Sequence, residues 1–128
     1  MDVPDDLRYT DQHEWIRLEG QSGTMGVTDY AQDALSDVKF VEAPQTGRTF
    51  AAGEEMGAIE SCKAASAFYA PVSCTVVEVN TALEDDPGLL NRQPYGAGWI
   101  VKVSVASPAE ADRLLTPAQY RELLEKEA

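Results

Sequence analysis

A small β sandwich or barrel with helical additions is the fold class this sequence predicts. Three observations point to it. Short alternating apolar runs recur at regular spacing, turn residues separate them, and the clearest helix starts lie toward the C-terminus.

Val3 to Thr10 is acidic and irregular, and Glu14-Trp15-Ile16-Arg17-Leu18-Glu19 then alternates as a strand. Gly20 to Gly23 predicts a turn, and Thr24 to Val27 a short strand. Thr28 is placed to cap a short helix over Asp29–Leu35, with Asp29 at its positive end. Val38 to Ala43 reads as a strand that Pro44 ends. Gln45 to Gly53 connects onward, with a brief strand inside it. Met56 to Ser61 and Ala67 to Val72 read as the arms of a hairpin around Lys63. Ser73 and Cys74 turn the chain into a strand from Thr75 to Asn80. Asp86-Pro87 opens one helical turn, with Pro at the first helical position, and Gln93 to Gly98 forms a loop. Trp99 to Val105 alternates, with Trp99, Val101, Val103 and Val105 on one face. Ser107-Pro108 and Thr116-Pro117 each set a cap before a helix-starting Pro. The second of these helices runs to about Lys126, with Tyr120, Leu123 and Leu124 on one face. Residues 1–128 are therefore expected to form a single domain with a C-terminal helical extension over about 107–127.

The chain carries 22 acidic and 10 basic residues, a net charge of -12. Nucleic acid and anionic membrane both select cationic surfaces, so neither is an expected partner. An acidic surface instead steers toward basic faces of partner proteins. No apolar run approaches membrane-spanning length. Met1 to Asp6 resembles neither a secretory signal nor a transit peptide, so a cytoplasmic, bacterial-type location is expected. Two Cys and one His give neither a disulfide framework nor a zinc ligand set, and no metal is expected.

Only 4 Lys occur in the chain, and Lys63 stands alone among small and apolar residues. A catalytic Lys needs burial or a neighbouring cation to depress its pKa. The hairpin tip offers neither. The residues alone leave two readings: an attachment point open to another enzyme, or a solvated surface charge.

Glu60-Ser61-Cys62-Lys63-Ala64 resembles a lipoylation hairpin. The wider pattern resembles the glycine cleavage system H proteins, from about Tyr9 to Tyr120. It is carried by Tyr9-Thr10, His13-Glu14-Trp15, Gly26 to Ala31, Glu60-Ser61, Lys63-Ala64, Ser66 and Pro71-Val72. It closes with Val79-Asn80, Leu83, Pro87, Asn91 and Pro94-Tyr95-Gly96-Ala97-Gly98-Trp99. The resemblance implies a mainly β, lipoyl-domain-like barrel-sandwich hybrid of two small antiparallel sheets, with short helices and a C-terminal helix. It implies lipoate joined to Lys63 by an amide, with Glu60, Ser61 and Ala64 framing the attachment site. It places Glu14 near the cleft that receives the aminomethylated arm, where a carboxylate can pair with an amine. The chain would then be a carrier and not an enzyme. It would shuttle an aminomethyl group and reducing equivalents from glycine decarboxylase (P-protein) to aminomethyltransferase (T-protein) and dihydrolipoyl dehydrogenase (L-protein). A lipoate ligase or a lipoyl/octanoyl transferase would load it, and a carrier that visits three enzymes is most useful as a monomer.

Several positions depart from the family pattern. Cys62 stands where Val is usual, Cys74 where a turn Gly is usual, and Ser36 where Gly is common. Ala67 replaces a commonly acidic residue, which removes one polar contact near the arm, and Lys39 replaces an apolar one. A left-handed backbone at Cys74 would cost roughly 1–2 kcal/mol. The main alternative is an H-like protein that relays lipoate to other proteins. A 2-oxoacid dehydrogenase lipoyl domain fits the Tyr9–Trp15 and Pro94–Trp99 segments poorly. A biotin carrier lacks support because Met does not flank Lys63. A Cys62 or Cys74 nucleophile has only His13 as a base, distant in sequence, with no visible third partner.

Overall fold

The computed structural model describes residues 1–127. Among the described residues nine strands form two antiparallel sheets. The larger sheet combines β1 (Arg8–Tyr9), β2 (Glu14–Glu19), β3 (Ser22–Val27), β5 (Thr49–Phe50), β8 (Cys74–Val79) and β9 (Val101–Val105), in the order β1-β2-β3-β9-β8-β5. The smaller sheet is β4 (Val38–Glu42), β6 (Glu55–Ser61) and β7 (Ala65–Tyr69), in that order. Helices α1 (Asp29–Leu35), α2 (Ala82–Asp85), α3 (Leu89–Arg92) and α4 (Pro117–Glu127) and a 3₁₀ helix over Pro108–Arg113 complete the fold. The expected class of two antiparallel sheets, short helices and a C-terminal helix is what the structure has.

The sheets face each other across a core that includes Ile16, Met25, Phe50, Ile59, Phe68 and Val103, all essentially buried. Along β9, Val101, Val103 and Val105 are buried while Lys102 and Ser104 are exposed, the pattern of a half-buried strand. Trp99 does not continue that face, as the alternation had predicted. Ile100 and Val101 are both fully buried, because Ile100 donates its N–H to the Met25 carbonyl before the strand begins. Trp99 instead packs on a second apolar cluster of Val3, Leu7, Tyr9, Trp15 and Tyr120. That cluster fixes the C-terminal helix. Tyr9 and Tyr120 stack at 4.5 Å between centroids, and the Tyr120 hydroxyl lies 2.7 Å from Thr28 Oγ1.

Three further departures have local causes. Arg8–Tyr9 is a strand because it pairs with Trp15 and Ile16 and bridges to Leu115. Asp86-Pro87 separates two single-turn helices and does not open one. Proline disfavours helical backbone at the preceding residue, and Asp86 sits at φ -138°, ψ 74°. Cys74 is the buried first residue of β8, paired with Phe50 and Val105, so no left-handed cost arises there.

The strain falls on Ser36, which ends α1 at φ 65°, ψ -154°, a region that is nearly glycine's alone. Its N–H still donates to the Gln32 and Asp33 carbonyls, bonds a glycine would keep. Ser36→Gly is therefore expected to stabilise the protein by about 1 kcal/mol, raising Tm by roughly 3–5 °C. Calorimetry checks this, and an unchanged or lower Tm would show that Ser36 is not strained.

Candidate functional site

Lys63 sits at the tip of the β6–β7 hairpin, in a two-residue turn between Ser61 and Ala64. Ser61 holds that turn. Its N–H donates to the Ala64 carbonyl at 2.8 Å, and its hydroxyl donates to the same oxygen at 3.0 Å. The same hydroxyl oxygen accepts the Lys63 N–H at 3.2 Å and the Ala64 N–H at 3.0 Å. Cys62 donates its N–H to the Asp37 carbonyl at 3.1 Å and so ties the tip to the start of β4. The backbone under Lys63 is thus fixed while Cys62, Lys63 and Ala64 are all exposed. Glu60 is exposed one position below Ser61, paired with Ala65 on β7 and Phe40 on β4.

Glu14 lies elsewhere. It is the first residue of β2 and only 1% exposed. Its Oε1 accepts the Thr10 hydroxyl at 2.5 Å, and its Oε2 accepts the Tyr69 N–H from the outer edge of β7 at 3.2 Å. It lines a cavity of about 530 Å³ with Tyr9, Thr10, Asp11, Tyr69, Arg113 and Leu115 among its walls. Tyr69 is six residues along the chain from Lys63, about 20 Å of extended strand. The hairpin therefore has Lys63 at one end and the Glu14 cavity beside the other. Ser61, Glu60 and Ala64 gather around Lys63, and Glu14 does not.

Burial is the largest influence on Glu14 and pushes its carboxyl up to about 7. The Thr10 and Tyr69 hydrogen bonds pull it down, and the Asp11 charge adds a smaller push upward. The folded state therefore holds this proton more tightly than the unfolded state, whose ordinary value is 4.5. The stability that this proton confers is fully present below about pH 4.5 and is lost as pH rises toward about 7, on the order of 3 kcal/mol in all. Urea denaturation of wild type and Glu14→Gln between pH 5 and 8 is expected to show wild type losing ground to the variant by about 2 kcal/mol. A difference that is flat with pH would mean the carboxyl is not desolvated.

Thr10 entered the sequence reading only as part of the family pattern, with no role of its own, and Tyr69 and Arg113 were given none. The Tyr69 contact spans 55 residues and carries no local signal. Thr10, four residues before Glu14, is a hydroxyl–carboxylate pair that local spacing could have marked. His13 is structural. It adopts φ 70°, with Nδ1 2.8 Å from the Tyr120 hydroxyl and Nε2 3.0 Å from Glu127, so it clamps α4. Trp15 donates its indole N–H to the Val27 and Pro94 carbonyls, both at 3.0 Å. Burial raises the Cys74 thiol to about 11, which leaves it a poor nucleophile. Among the described residues no His, Cys, Asp and Glu cluster is arranged to hold a metal ion. No described helix is long and apolar enough to cross a membrane.

The glycine cleavage H-protein family model matches residues 7–127 of this chain. The chain belongs to the glycine cleavage H-protein family. It is 50% identical over 125 residues to the glycine cleavage system H protein of Carboxydothermus hydrogenoformans, covering 98% of this chain and 96% of that protein. It is 52% identical over 124 residues to a probable glycine cleavage system H protein of Haloarcula marismortui, covering 97% and 98%. Its fold is similar to the crystal structure of a Mycobacterium marinum glycine cleavage system H protein. That match has a TM-score of 0.85 and 39% identity, and covers 96% of this chain and 99% of the other. H proteins are lipoyl carriers of glycine cleavage and not catalysts.

Proposed function

We propose that Lys63 carries lipoate as an amide on its Nζ and that the whole chain works as one lipoyl-carrier domain of glycine cleavage. The observation that carries this reading is an exposed Lys at the apex of a turn that Ser61 holds rigid, in an H-protein chain. The site fits the group. The neighbours Ser61, Cys62, Ala64 and Ala65 are small, so a modifying enzyme reaches Nζ without displacing a side chain. Amide formation removes the Lys63 charge at a fully solvated point, where this costs the fold little.

Once attached, the lipoyl group would supply the redox and aminomethyl-carrying chemistry, and the protein supplies its presentation. Ser61 fixes where the arm begins. The outer edge of β7 runs from that point toward the Glu14 cavity. Glu14 offers a carboxylate there to the amine of a loaded arm. Glu60 and Ala64 frame the base of the arm. The partners are the glycine decarboxylase, the aminomethyltransferase and the dihydrolipoyl dehydrogenase. A lipoate ligase or a lipoyl/octanoyl transferase loads Lys63. The net charge of -12 suits docking against basic partner faces by a monomer in the cytoplasm.

Reconstitution of the lipoylated protein with these three enzymes tests the reading. Glycine-dependent reduction of the arm and tetrahydrofolate-dependent ammonia release are expected. Transfer of lipoate to other acceptor proteins, with no glycine-dependent reduction, would favour lipoate relay instead.

A further inference from the structure

We propose that Thr10 is a positioning residue that holds Glu14 in place and aims a hydrogen-bond donor at its carboxylate. Thr10 directly follows β1, and Glu14 opens β2. Between them Thr10 Oγ1 accepts the Gln12 N–H at 3.2 Å and the Glu14 N–H at 3.1 Å. A hydroxyl has one proton to give and two lone pairs to accept with. Both lone pairs are engaged, so the proton is directed at Glu14 Oε1, 2.5 Å away.

The other carboxylate oxygen is also committed. Oε2 accepts the Tyr69 N–H at 3.2 Å. Each oxygen keeps a second lone pair where a proton can sit, but a neutral carboxyl is a weaker acceptor than a carboxylate, so protonating Glu14 weakens both bonds. Hydrogen bonds to the charged form favour it, and burial opposes them.

The charged and titratable groups around Glu14 come from four elements. Asp11 is on the β1–β2 turn, Tyr9 on β1, Tyr69 on β7 and Arg113 on the 3₁₀ helix, all lining the cavity. Asp11 works against ionisation of Glu14. Arg113 is exposed, and the ion pairs among the described residues do not include Glu14. The neighbouring His13 ring is turned toward Tyr120 and Glu127 on α4. With no cation against it, Glu14 depends on Thr10 and Tyr69 for its ionisation. A primary ammonium is the ligand class this arrangement suits. That consequence rests on the reading above, in which the loaded arm visits this cavity.

Titration of the unlipoylated full chain by carboxyl-carbon NMR tests the role of Thr10 without the arm. Thr10→Val removes the donated proton, and Thr10→Ser retains it. The Glu14 midpoint is expected to rise by about one pH unit in Thr10→Val, a tenfold gain in proton affinity, and to stay at the wild-type value in Thr10→Ser. Equal midpoints in wild type and Thr10→Val, with both folded by amide spectra, would overturn the proposal. So would an equal shift in Thr10→Ser and Thr10→Val. If Thr10→Val does not fold, Thr10→Ala replaces it under the same criteria. Spontaneous loss of the aminomethyl group from the loaded, lipoylated protein is a separate measurement. An unchanged rate in Glu14→Gln would overturn the docking reading, and the titration would still decide the role of Thr10.

Discussion

Lys63→Arg protein is expected to fold like its parent and to support no glycine-dependent turnover. Lys63 is exposed at a turn whose geometry Ser61 sets with backbone bonds and its own hydroxyl, so stability should change by less than about 0.5 kcal/mol. Arginine stays charged at all working pH values and is not an acyl acceptor, so no arm is attached. The rest of the surface is untouched. An excess of the variant should therefore inhibit wild-type carrier by competing for the same enzymes. Turnover assays with each protein alone and mixed check both statements. Turnover above the carrier-free background would move the attachment to Lys39, Lys102 or Lys126.

Gly57→Ala is expected to cost about 3 kcal/mol or more and to slow lipoylation as well. A methyl group at Gly57 would lie 2.0 Å from the Glu42 carbonyl oxygen and 2.9 Å from the Phe68 ring. The first neighbour is backbone and cannot rotate away. β4 and β6 would have to separate where Glu42 pairs with Ala58, at the base of the hairpin. Overpacking against backbone in a small domain removes a large share of a stability of roughly 5–15 kcal/mol. The hairpin tip is tied to β4 through Cys62 and Asp37, so loosening that pairing also loosens the platform under Lys63. Urea denaturation and the initial rate of lipoylation measure the two effects. A loss below 0.5 kcal/mol would mean the strands slide apart without penalty.

Which parts of this fold were legible depends on where their causes lie in the chain. β2 and α1 were readable to the residue, because alternation and a Thr28 cap are local signals. Thr28 Oγ1 does accept the Ala31 N–H. The Thr116 cap is also local, accepting the Gln119 N–H before α4. The second hairpin arm was placed late, at Ala67 to Val72, when β7 is Ala65–Tyr69. Ala65 and Ser66 have weak strand propensity, and cross-strand pairing with Glu60 and Ile59 makes them strand. Cys74 looked like a turn next to Ser73, yet Phe50 and Val105 recruit it into the sheet. The single-turn helix α2 went unread because Asp86-Pro87 was the stronger local signal.

The site divides in the same way. Lys63 stood out because a lone cation between two strand-like runs is a local feature, but those residues alone left attachment point and surface charge both open. The setting of Glu14 did not stand out. Its burial, its Tyr69 contact and its cavity arise where the β1–β2 turn, β7 and the 3₁₀ helix meet, and these are 55 and about 100 residues apart in sequence. The contacts of Thr10 and Tyr69 with Glu14 enter the description only through that meeting.

Lipoylation at Lys63 is the central claim, and intact mass with peptide mapping tests it most directly. The protein is co-expressed with a lipoate ligase and supplied lipoate. One lipoyl amide per chain, mapped to Lys63 and absent from Lys63→Arg, is the predicted result. A bare Lys63 in cells where another carrier is modified would contradict the account.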